Sequence, residues 1–128
     1  MVKAYAKGYR FERSLVHTLS KRGFMVLRAP RSGRIGLASP DIVAIHKIDG
    51  KSKVLALECK NRVDGFTVAP EQLQELNDWE DTAGAHCYIV WKCGRNEPLF
   101  LHLADVMDNN GNVGKRFAKE FGISIDEI

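Results

Sequence analysis

Residues 53–60 form an apolar run that ends on charge: Val54, Leu55, Ala56 and Leu57 lead into Glu58, Cys59 and Lys60. A short run of this kind predicts a buried strand, where a carboxylate is costly unless something compensates it. Strand side chains alternate, so Glu58 and Lys60 share one face while Leu57 and Cys59 take the other and pack. A second β-type run, 41–46, precedes it, and the connection through Ile48, Asp49, Gly50 and Lys51 predicts a hairpin around Asp49-Gly50. Both runs read as central strands. Asp41 opens the earlier one directly after Pro40. If the register brings Asp41 beside Glu58, the two carboxylates and the Cys59 backbone carbonyl make an oxygen cage for a hard cation, Mg²⁺ or Mn²⁺.

That constellation suits attack on a phosphodiester. Charge accumulates on the phosphoryl oxygens during attack, and a metal ion and nearby cations stabilise it. Asp41 and Glu58 would hold the metal, Lys60 would position or help deprotonate the water, and Glu12, one helix away, would complete the metal shell through a water. A surface salt bridge from Lys60 to Glu58 or Asp41 is the plain alternative for any one of these residues, since such pairs are nearly neutral in energy. The three together favour the site.

The remaining elements alternate helix and strand. Gly8, Phe11, Leu15 and Leu19 predict an amphipathic helix over 5–22, ended by Gly23 and carrying Glu12 beside its buried stripe. A short strand follows at 24–29, then a loop at 30–39 rich in Gly, Ser and Arg. Pro70 and the spacing of Leu73 and Leu76 predict a helix over 70–81. Strands are expected at 86–92 and 98–102, a turn at 109–114 and a basic helix at 115–121. No repeat or low-complexity tract interrupts the pattern, and 128 residues with 45% hydrophobic composition fit one domain, 1–128.

The net charge of +3 conceals an asymmetry. Residues 1–40 hold nine Lys and Arg against the single acid Glu12, a balance of +8, and the remainder balances to −5. One face built to meet a polyanion would produce this, as would a solvated basic helix. The cysteines, Cys59, Cys87 and Cys93, are odd in number and lack a C-x-x-C pair, which argues against a disulfide framework or a zinc knuckle. No apolar run approaches the roughly 20 residues that cross a bilayer, and the first residues lack the apolar core of a signal peptide. A soluble cytoplasmic protein with no membrane partner is expected.

The order Pro40-Asp41, sixteen residues, Glu58-Cys59-Lys60, preceded by a helix bearing Glu12, resembles the PD-(D/E)xK nuclease signature. The opening KGYRFERSLVHTLSKRGFMVLRAPRSG is similar to that of the archaeal-type Holliday-junction resolvases, with Gly8, Glu12, Arg13, Arg28 and Ser32 in the family's order. The resemblance runs from about Lys7 to Leu76 and more loosely to Leu103. It implies an α/β, restriction-endonuclease-like fold, a central mixed β-sheet flanked by helices. It further implies a homodimer that binds four-way DNA junctions and makes paired symmetric cuts with a divalent metal, leaving 5′-phosphate and 3′-hydroxyl ends. Ser32 would lie near the scissile strand, and Arg13, Arg28, Arg31 and Arg34 would grip phosphates. A sliding clamp is a further candidate partner.

Other signals carry less. His86, Cys87, Cys93 and His102 match no zinc spacing, and alternation sends His86 and Cys87 to opposite faces. The stretch 111–116 lacks Walker spacing and reads as a turn and helix start. Trp79 and Trp91 read as core. Gln72 is either an exposed helix residue or a group that orients water or phosphate, and Val63, Phe66 and Val68 are either a dimer patch or ordinary packing. Two alternatives to the resolvase stay open: another nuclease of the same group acting on linear or branched DNA, and a non-catalytic DNA-binding module.

Overall fold

The computed structural model describes residues 2–29 and 39–128, with side chains from Lys7 onward. Arg31, Ser32 and Arg34, and the loop expected around them, lie outside the described residues.

The first helix, α1 (Val2–Lys21), starts three residues earlier than its apolar stripe requires, and that stripe buries Phe11, Leu15 and Leu19. Strand β1 (Met25–Arg28) follows, then β2 (Ile42–Ile48) and β3 (Lys51–Asn61). The two-residue link between β2 and β3 places Asp49 at φ 52° and Gly50 at φ 80°. Two left-handed residues in succession match the twist of paired strands, which is why Asn-Gly and Asp-Gly favour this turn. The hairpin register pairs Ile42 with Leu57 at one end and Ile48 with Lys51 at the other.

After β3 come β4 (Phe66–Thr67), α2 (Pro70–Ala83), β5 (His86–Lys92), β6 (Leu99–His102), α3 (Leu103–Asp108), β7 (Asn112–Val113) and α4 (Lys115–Phe121), with a 3-10 turn at Ile125–Glu127. The main sheet has the order β1-β2-β3-β5-β6, antiparallel except for the parallel pair β3–β5, so β2 and β3 are interior strands as expected. A parallel pair needs a crossover, and β4 and α2 supply it. The sheet separates two cores. Leu55 and Leu57 pack toward α1, whereas Ala56, Ile89 and Trp91 pack toward α2 and α3.

The elements α3, β4 and β7 have no counterpart in the sequence reading. The β4–β7 pair is only two residues long and joins segments far apart in the chain, so no local period announces it. It is secured at Gly111, whose carbonyl accepts from Val68 N at 2.8 Å and where any side chain would run into the Val68 carbonyl. The same pairing makes ordinary packing the role of Phe66 and Val68. Phe66 packs edge-on against Trp91, and Phe66 and Val68 are core residues of their own chain, leaving only Val63 exposed. Among the described residues no helix is long and apolar enough to cross a membrane.

Candidate active site

Asp41 stands one position beyond the Ile42–Leu57 pair, which brings it to Glu58. Its backbone N–H donates to the Leu57 carbonyl at 2.9 Å, and its carbonyl accepts from Ala29 N at 2.8 Å. The side chain is fixed as well, because Cys59 N donates to Asp41 Oδ2 at 2.8 Å. Glu58 is only 7% exposed and is the buried charged residue of the described chain. Lys60 Nζ lies 3.8 Å from Glu58 Oε2, on the face that strand alternation predicted. Leu57 and Cys59 face α1 and pack there.

The electrostatics follow from this geometry. Burial pushes the Glu58 carboxyl up to about 8, and the neighbouring Asp41 charge adds to the rise, while Lys60 and a hydrogen bond from Gln72 oppose it. Burial also raises Asp41, against the pull of the Cys59 N–H and Lys60. Burial therefore favours a proton held on this carboxyl pair near neutrality. Burial holds the Cys59 thiol well above its ordinary range, so its sulfur stays protonated and apart from the chemistry.

Glu12 and Arg28 flank the carboxylates from the α1 side. Arg28 Nε donates to Glu12 Oε1 at 2.8 Å, and the guanidinium lies 4.6 Å from the Tyr9 ring centre. Arg28 is the β1 partner of Ile42, so its charge reaches Asp41. Arg13 is exposed on α1. Gln72, in the first turn of α2, reaches Glu58 and belongs with the site rather than with the solvated helix face. Its signal in the sequence was its place just inside the helix that follows the charged strand.

Among the described residues no three His, Cys, Asp or Glu side chains converge closely enough to enclose a metal ion. The donor set nevertheless fits a hard divalent cation. The buried Glu58 and half-buried Asp41 carboxyls lie side by side facing the Lys60 amine, and burial leaves both short of compensating positive charge. Asp41, Glu58 and the Cys59 carbonyl would hold such an ion, with Glu12 contributing through water.

The profile of the family described as archaeal Holliday junction resolvase (Hjc) matches residues 3–128. The crossover junction endodeoxyribonuclease Hjc of Archaeoglobus fulgidus is 33% identical over 98 residues, covering 75% of this chain and 68% of that protein. The enzyme of the same name from Methanocaldococcus jannaschii is 31% identical over 99 residues, covering 77% and 67%. The solved structure of Archaeoglobus fulgidus Hjc, a Holliday junction resolvase from an archaeal hyperthermophile, superposes with a TM-score of 0.78 at 27% identity, over 92% of this chain and 94% of that one. The fold is thus the restriction-endonuclease-like α/β arrangement expected, a mixed five-stranded sheet between helices.

Proposed function

Because this chain belongs to the archaeal Holliday junction resolvase family, we propose that it is a crossover junction endodeoxyribonuclease of DNA recombination and repair, cutting four-way junctions by paired phosphodiester hydrolysis. The observation that carries this reading is the meeting of Asp41, Glu58 and Lys60 on one patch of sheet. Resolvases of this kind generally use divalent metal ions, and the ion proposed for this site is Mg²⁺, with Mn²⁺ as a substitute. When bound, the cation would neutralise charge on the phosphoryl oxygens and favour hydroxide over water.

The chain's own residues do the rest. The Cys59 N–H aims the Asp41 carboxylate, and Gln72 holds the Glu58 carboxylate from α2. Glu58 must lose its proton before it can serve as a ligand. Lys60 sets positive charge beside the reacting phosphate and orients the attacking water. Arg28, held by Glu12, receives a neighbouring phosphate, with Arg13, Arg31 and Arg34 extending that contact and Ser32 beside the scissile strand. Phosphate contacts position DNA without reading its bases, so selection would rest on junction shape.

Paired cuts need two equivalent sites, and a twofold dimer supplies them. Met25 and Leu27 on β1 are 79% and 74% exposed, and Ile45, the cross-strand partner of Met25, is 42% exposed. These side chains lie on one uncovered end of the sheet, where we place the contact with a second copy. A sliding clamp is a candidate partner, tested by co-elution with purified clamp, and the proposed location is the cytoplasm, in keeping with action on DNA.

The deciding experiment incubates the protein with labelled four-way junction, linear duplex and single strand, each with Mg²⁺ and with EDTA. Metal-dependent paired nicks in the junction alone are expected. Equal cutting of linear duplex would indicate a general nuclease, and tight binding without cutting a non-catalytic module.

A further inference from the structure

The sheet end beyond Lys60 carries cations that the catalytic site does not use. Arg62 lies just past the end of β3 and Lys92 closes β5, and the two are strapped together: Arg62 N donates to the Lys92 carbonyl at 3.0 Å, and the Trp91 indole N–H donates to the Arg62 carbonyl at 2.8 Å. The Arg62 guanidinium lies 5.8 Å from the Phe66 ring centre. Arg95 is exposed in the turn after β5. Beneath that turn, Lys115 and Lys119 of α4 line a cleft of about 590 Å³ together with Asn96 and Glu97. Lys60 pairs in register with Trp91, and Trp91 with Leu99, and both Trp91 and Leu99 line the cleft that Lys115 and Lys119 border.

Among the described residues Arg62, Arg95, Lys115 and Lys119 form no ion pair. All four are exposed, and with Glu97 as the one acid lining the cleft the rim keeps a net positive charge that attracts a polyanion. The neighbouring helix has the reverse character, because α2 carries Glu71, Glu75, Asp78, Glu80 and Asp81 and no base. A duplex leaving the site would be repelled by α2 and drawn along the strand ends. With strands about 4.8 Å apart and a helix beyond, the rim spans roughly 20 Å, enough to follow several phosphates.

We propose that Arg62, Arg95, Lys115 and Lys119 form a track for the phosphate backbone of a duplex arm, continuing from the active site to α4. The inference rests on the nuclease reading and adds a binding surface outside its catalytic residues.

The test measures the affinity of the full chain for a labelled four-way junction across a salt series. The variant Arg62→Gln/Arg95→Gln/Lys115→Gln is compared with Lys47→Gln/Lys51→Gln/Lys53→Gln, which removes equal charge at the opposite end of the sheet. The rim variant should bind ~10–100-fold more weakly, with a salt slope shallower by about 2–3, since each phosphate contact contributes about one unit. The opposite-end variant should keep the wild-type slope. Thermal melting of both variants checks that they remain folded. Wild-type affinity and slope in the rim variant, or equal losses in the two variants, would overturn the track while leaving the nuclease reading standing. Wild-type protein that binds no DNA would overturn both.

Discussion

Asp41 stands beside Glu58 at the open end of the β2–β3 hairpin, its Oδ2 accepting from Cys59 N at 2.8 Å, and burial raises the proton affinity of both carboxyls. A buried acid with a raised affinity for its proton couples pH to both stability and metal binding.

For the metal-free protein the sign is fixed. Glu58 in the folded state titrates near 8 against an ordinary 4.5, so between these values the folded chain binds a proton that the unfolded chain releases. The stabilisation this provides is complete below the ordinary value and is lost as pH rises through about 8. Urea unfolding in EDTA should show stability falling from pH 5 to pH 8.5, and Glu58→Gln should flatten that slope. A variant with the wild-type slope would assign the pH dependence to other groups.

Cation binding displaces the same proton. Calorimetry at pH 7 in buffers of different ionisation enthalpy should detect proton release when Mg²⁺ or Mn²⁺ binds, and Asp41→Ala should abolish both binding and junction cleavage. Junction binding should persist or tighten in Asp41→Ala, because a charge that repels phosphate has been removed. Wild-type cleavage by this variant would refute the metal assignment.

Gln72 supports Glu58 from α2, and groups that hold a metal ligand in place typically contribute 10–100-fold in metal affinity or activity. Gln72→Ala should lower the cleavage rate by about that factor and raise the Mg²⁺ concentration needed for half-maximal rate. Gln72→Glu adds charge at the same place and should not restore it. An unchanged metal requirement in Gln72→Ala would reduce Gln72 to a packing residue.

Arg28 is held by Glu12 at 2.8 Å, so each residue should matter through the other. Arg28→Gln should weaken junction binding and lower the salt slope by about 1. Glu12→Gln should loosen Arg28, and the double variant should lose less than the sum of the two single losses. Additive losses would show that the pair acts as two independent contacts.

Leu27 is 74% exposed on the uncovered face of β1. Leu27→Glu should convert a dimer into a monomer by sedimentation, with paired cuts giving way to single nicks. A monomeric wild type, or a dimeric Leu27→Glu, would move the interface elsewhere.

The hairpin was determined by local chemistry. Asp49-Gly50 sets the turn, and once the turn is set, alternation alone places Glu58 with Lys60 and sends Leu57 and Cys59 to the other side. The stripe of Phe11, Leu15 and Leu19 and the Pro70 start of α2 were readable in the same way, because each depends on residues within a few turns of one another. The tertiary structure decided what depends on distant segments meeting. It set Asp41 against Glu58 through the strand register, turned Glu12 toward Arg28, and carried Gln72 to the site on the crossover helix. It also buried Phe66 and Val68 by pairing β4 with a two-residue strand about 45 positions later. A sequence period records which face a residue takes. The partner it meets there depends on how the elements pack, and for Asp41 and Glu58 that packing supplied both the neighbour and the burial that raises their proton affinity.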